Sequence, residues 1–152
     1  MQGGWGSPHV SRWTRLTVAR AAMYEQTTEG ILVRVQPVFV PAQSEPDAGR
    51  FVWAYHVTIV NKGAETVRLI RRHWRIIDAL GRIQEIDGDG VVGEQPVLEP
   101  GSLFGYTSGA PLPTPSGVMS GSYLMTTEEG RAFHVAIPPF SLDSPHQEKN
   151  LN

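Results

Sequence analysis

From Met23 onward, short runs of β-branched and aromatic residues alternate with Gly- and Pro-rich punctuation. Ile31–Val35 is the first such run, bounded by Pro37 and Pro41. Residues 42–50 are polar and lack a period, which predicts a loop. The clearest strand is Phe51–Val60. Period two sets Phe51, Trp53, Tyr55, Val57 and Ile59 on one face and Val52, Ala54, His56, Thr58 and Val60 on the other. Both faces are largely apolar, which predicts a central strand partly covered on its second side. Asn61-Lys62-Gly63 reads as a short hairpin turn that folds Thr66–Arg71 back beside this strand.

His73–Asp78 and Ile83–Asp87 read as strands about a turn at residues 79–82. Pro96 and the turn dipeptide Pro100-Gly101 punctuate the next stretch, and Ser102–Ser108 reads as a strand. Pro111, Pro113 and Pro115 cannot donate ladder hydrogen bonds, so residues 110–117 are expected to form a stiff extended crossover. Val118–Thr127 and Ala132–Ile137 form a last hairpin around Glu128-Glu129-Gly130, and Pro138-Pro139 closes the domain. No window keeps apolar residues at helical spacing free of Gly or Pro. The pattern predicts an all-β domain of seven or eight short strands, and the Pro-rich crossover favours a sandwich with Greek-key character. Trp53 and Trp74 are expected in its core, which needs large inward side chains.

Composition narrows the function classes. A chain of 152 residues fits one domain. The absence of cysteine removes disulfides, thiolate nucleophiles and zinc–sulfur sites, and suits a reducing cytoplasm. A formal net charge of −2 lacks the basic excess of nucleic-acid-binding domains. No apolar run approaches the roughly 20 residues that span a bilayer, so a soluble protein with no membrane partner is expected. Residues 1–22 carry Arg12, Arg15 and Arg20 without an acid, and lack the apolar stretch of a secretory signal. They read as a disordered N-terminal extension, with the patterned domain over residues 23–152 and Met23 as its expected start.

Gly88-Asp89-Gly90-Val91-Val92-Gly93 spells G-x-G-x-x-G. In a dinucleotide-binding fold such glycines admit a pyrophosphate to a helix N-terminus, but Pro96 and Pro100-Gly101 leave no room for that helix. A turn needing positive φ is the simpler reading. A nest of amides that holds an anion is the alternative, with Arg71, Arg72 or Arg82 neutralising the charge of a nucleotide or polyphosphate. Glu85, Asp87 and Asp89 recur at period two and could hold Mg²⁺, or could simply be a solvated face. Arg68, Arg71, Arg72, Arg75 and Arg82 crowd one region, and strand alternation splits them between two faces with Arg68 and Arg72 on one. Ser108 could be combined on paper with His56, His73 or His134, yet no nucleophile elbow G-x-S-x-G exists. No catalytic residues are expected.

Read as one string, the middle of the chain resembles the ApaG family. Arg71-Arg72-His73-Trp74-Arg75-Ile76-Ile77-Asp78-Ala79-Leu80-Gly81 is similar to that family's R-H-W-x-I-x-D-x-x-G stretch. The run from Gly88 to Gly101 is similar to G-x-G-V-V-G-x-x-P-x-L-x-P-G. Tyr106–Gly109, Gly117–Tyr123 and Phe140–Pro145 extend the likeness across residues 23–152. The resemblance implies an immunoglobulin-like or fibronectin type III-like β-sandwich in a bacterial cytoplasmic protein. It also implies a physiological link to diadenosine tetraphosphate metabolism and to magnesium and cobalt homeostasis. Related domains serve in interactions, so the expected function is a non-catalytic module for a protein partner without a required cofactor. The alternative is a small-ligand protein binding a nucleotide or polyphosphate, with or without a divalent cation, at the Gly88–Gly93 loop.

Overall fold

The computed structural model describes residues 22–147. The expectation for residues 1–22 therefore lies, but for its last residue, outside the described residues. Nine strands are present among them: β1 Tyr24–Thr28, β2 Ile31–Phe39, β3 Phe51–Asn61, β4 Val67–Asp78, β5 Ile83–Asp89, β6 Val97–Leu98, β7 Leu103–Leu112, β8 Gly117–Thr127 and β9 Ala132–Leu142. One antiparallel sheet runs β1-β2-β3-β7 and the other β5-β4-β8-β9, with the two-residue β6 also on β4. Apart from β1 and β6, three strands face four, as in a fibronectin type III-like sandwich.

The core forms where the period-two faces meet. Trp53, Tyr55, Val57 and Ile59 of β3 are buried against Trp74 and Ile76 of β4, Tyr123 and Met125 of β8, and Phe140 of β9. Tyr55 meets Trp74 edge-on with ring centroids 5.2 Å apart, and Trp74 meets Phe140 edge-on at 6.0 Å. The Trp53 indole N–H is satisfied by the Asp143 carbonyl at 2.8 Å. Both tryptophans lie in the core, as expected.

Several connections differ from the sequence expectation. Asn61-Lys62-Gly63 is not a hairpin turn, because β3 pairs with β2 and β7 while β4 lies in the opposite sheet. The fully buried Asn61 side chain makes this corner, donating to the Glu65 and Leu98 carbonyls and accepting from the Gly63 amide. Thr66–Arg71 and His73–Asp78 merge into one strand with a bulge at Ile70. Prolines end fewer strands than expected, because each finds a place where no N–H is needed. Pro37 lies in β2 beyond Val35, where β1 has ended and one side is open. Pro111 sits in β7 at a sheet edge, opposite Val52, so the crossover is shorter than predicted. Pro138-Pro139 occupies a bulge, and β9 continues to Leu142. The polar β1 had no apolar alternation to announce it, although Glu29-Gly30 supplies the two positive φ values of a tight hairpin.

Candidate functional site

The residues with candidate chemistry collect along β4 and β5. The Gly90 amide donates to the Ile70 carbonyl and the Asp78 amide to Arg82, on the same register as the pairs from Arg71–Asp89 to Ile77–Ile83. Hydrogen-bonded pairs therefore fall at Arg72–Gly88, Trp74–Ile86 and Ile76–Gln84. Non-hydrogen-bonded pairs, which bring side chains closer, fall at Arg71–Asp89, His73–Asp87, Arg75–Glu85 and Ile77–Ile83. Buried Trp74 and Ile76 fix the first set as inward, so the second set faces solvent.

That outward set is a cross-strand charge ladder. Arg71 meets Asp89 at 2.6 Å, and His73 meets Asp87 at 2.8 Å and Glu85 at 3.5 Å. Arg75 completes it, 4.0 Å from Glu85. Glu85, Asp87 and Asp89 do share one face, as the spacing predicts. They are strung about 7 Å apart along the strand rather than converging, and each lies against a basic side chain of β4. Among the described residues no group of three or more His, Asp or Glu is placed to hold a metal ion. The three carboxylates therefore do not converge on one point.

Arg68 and Arg72 do not share a face. The bulge at Ile70 shifts the alternation by one residue, leaving Arg68 outward and turning Arg72 inward. Arg72 lies across Gly88, where a Cβ would come within 2.7–2.8 Å of the guanidinium. Its Nη1 donates to the Asp89 and Gly90 carbonyls at 2.9 and 3.0 Å. Tyr55, Tyr106 and Tyr123 are its neighbours on the interior side, and Tyr106 and Tyr123 share a hydrogen bond at 2.5 Å. Burial pushes all three phenols up, and the Arg72 charge opposes part of that rise.

The glycine motif divides into three separate requirements. Gly88 makes room for Arg72. At Gly90, with φ 59°, a Cβ would overlap the Glu94 carbonyl. Gly93, with φ 82°, has open space around it and needs only the left-handed backbone. The Gly90, Val91 and Glu94 amides all donate to backbone carbonyls, so the loop spends on itself three donors that an anion would use. Arg71 and Arg72 reach this loop. Arg82 does not: it lies about 20 Å away along β5 by strand rise, with its Nε on Asp78 at 2.8 Å.

The serine–histidine combinations are not assembled. Ser108 stands opposite Tyr55 in the β3–β7 pair, on the inner side of the first sheet, whereas His56 is exposed on that sheet's outer face and bonds Thr107 at 2.6 Å. His73 and His134 line a shallow outward hollow of about 100 Å³ on the second sheet, with Arg71, Asp87 and Ser122. Both ring nitrogens of His73 face the β5 carboxylates, not Ser122.

The opposite end of the same face is apolar. Val118, Ile77 and Ile83 are direct neighbours across three strands, and Leu80 stands in the turn beyond. Exposure is 42% at Val118, 53% at Ile83 and 72% at Leu80. Sequence reasoning missed this row. Its signal was present, since Ile77 and Ile83 share parity with the arginines and carboxylates of the outward face.

Two packed antiparallel sheets in this order define a β-sandwich of the fibronectin type III-like class. Comparison with known proteins then places the chain. Residues 41–127 match the ApaG domain family. The chain is 62% identical to Protein ApaG of Paramagnetospirillum magneticum over 130 residues, 86% of this chain and all of that protein. It is 60% identical to Protein ApaG of Rhodospirillum centenum with the same coverage. The crystal structure of the putative ApaA protein from Bordetella pertussis superposes with a TM-score of 0.74 at 46% identity, covering 81% of this chain and 97% of that one. The chain belongs to the ApaG family.

Proposed function

We propose that this chain is a non-catalytic binding module that engages a protein partner through the outward face of its second sheet. The observation that supports this most is the row Val118–Ile77–Ile83, with Leu80 beyond it, exposed beside the β4–β5 charge ladder. Exposed apolar side chains that cluster next to a polar rim are a usual mark of a contact surface. The link to diadenosine tetraphosphate metabolism and to magnesium and cobalt homeostasis rests on family resemblance and describes a physiological setting, not a ligand. No cofactor is required by this reading, and a cytoplasmic location accompanies it; no helix among the described residues is long and apolar enough to cross a membrane.

The test is site-specific photo-crosslinking in living cells, with a photoreactive amino acid at Ile83, Val118 or, as control, Lys62. Discrete light-dependent adducts at Ile83 and Val118 but not at Lys62 are expected. The same yield at all three positions would remove the proposed surface.

A further inference from the structure

We propose that the free edge of β5 receives an extended, basic segment of the partner by strand addition. This rests on the binding-module reading and names the partner's chemistry. Among the described residues β5 ends its sheet, pairing on one side only, with β4. The register fixes which backbone groups are free. Gln84, Ile86 and Gly88 turn their N–H and C=O toward β4, so Ile83, Glu85 and Asp87 turn theirs toward the open edge. The Asp89 carbonyl is taken by Arg72, which closes the edge at the loop end. Three residues, each with a donor and an acceptor, are left to template a strand.

Charge selects the occupant. The side chains of these edge residues and of Asp89 run Ile, Glu, Asp, Asp at every second position. Glu85, Asp87 and Asp89 are more than half exposed, and Arg71 and His73 engage a single oxygen of Asp89 and Asp87. A neighbouring strand with Lys or Arg at alternate positions would meet carboxylates directly across the new pair and continue the ladder Arg–Asp–cation outward. Its apolar end would reach Ile83 and the exposed apolar row. A second copy is the wrong occupant. Antiparallel β5–β5 pairing centred on Ile86 sets Glu85 against Asp87 of the other copy, a like-charge contact. The acids that protect the edge from self-association thus specify a basic partner.

The probe is a blocked seven-residue peptide with lysine at every second position and threonine or valine between. Its match carries glutamate in place of lysine. Amide exchange and NMR shifts are followed on the labelled full-length chain. Saturable binding of the lysine peptide is expected, with the Ile83, Glu85 and Asp87 amides newly protected and the Gln84 and Ile86 amides protected throughout. The glutamate peptide should bind at least about tenfold more weakly. Glu85→Pro removes an edge donor together with the Glu85 carboxylate and should abolish protection in a folded protein. Glu85→Lys with Asp87→Lys should exchange the preference between peptides. Equal response to both peptides, or shifts without alternate-residue protection, would overturn the proposal. So would protection already present before peptide is added, since a second copy or residues 1–21 would then hold the edge. Crosslinks at Ile83 without edge protection would leave the binding module standing and refute strand addition. Loss of both would remove both.

Discussion

The two ends of β5 are opposites. At the Gly88–Gly93 end most of the conspicuous groups are consumed internally: three loop amides by carbonyls, Arg72 by two more, and Arg71 by Asp89. At the Leu80–Ile83 end apolar side chains stand exposed beside a backbone edge that is unpaired among the described residues. The end whose sequence looks like a binding site is largely self-satisfied, and the end with no binding motif has groups left unpaired. A recurring glycine pattern can record steric needs of the fold, whereas a surface for a partner must be left incomplete by it.

Breaking the loop end should cost stability in graded steps. Gly90→Ala drives a Cβ into the Glu94 carbonyl at positive φ and should lower the unfolding free energy by about 3 kcal/mol. Gly88→Ala displaces the flexible end of Arg72 from its two carbonyls and should cost about 1–2 kcal/mol. Gly93→Ala meets nothing and suffers only backbone strain, about 1 kcal/mol. Urea unfolding of the three variants checks the order. An anion site built from all three glycines would instead make Gly93→Ala harmful to ligand binding out of proportion to its effect on stability.

At the other end the same kind of measurement should find almost nothing. Leu80→Ser removes a side chain that is 72% exposed in a turn, so its effect on unfolding should stay within about 0.5 kcal/mol. Crosslinking from Ile83 should fall sharply in the same variant. A large loss of stability would show that Leu80 serves the fold and not a partner.

The difference also explains what could be read from the chain. Strand β3 and the inward Trp53 were legible because alternation over ten residues leaves one solution for their faces. The charged rows of β4 and β5 were legible for the same reason, but not their mutual neutralisation, which depends on which residues sit opposite one another. Arg72 was misplaced by a bulge at Ile70, a single unpaired residue with no compositional mark. Prolines 37, 111 and 138 were overread as breaks because edge and bulge positions are set by neighbouring strands that lie far away in sequence. The asparagine at the β3–β4 corner looked like turn chemistry, and it is, but for a turn that changes sheets.

The smallest effect concerns the turn that displays Leu80. The Asp78 side chain is almost wholly covered and holds that turn, accepting from the Leu80 and Arg82 amides at 2.9 and 3.0 Å and from the Arg82 guanidinium at 2.8 Å. Burial alone raises its carboxyl, but these donors, the Arg82 amide first, more than reverse that rise and hold it below the usual carboxylate range. A carboxyl depressed in the folded state contributes stability that is fully present above its unfolded value, about 3.9, and is lost as pH falls through the lowered folded value. Asp78→Asn keeps the acceptor for both amides and removes the charge. The stability gap between wild type and this variant should therefore be constant near neutrality and shrink on acidification below about pH 4. Other carboxylates titrate in both proteins and cancel from the difference. A gap independent of pH would mean that the turn is held by its backbone geometry alone, and that the apolar end of β5, unlike the glycine end with its Arg71 and Arg72 contacts, is shaped without help from charge.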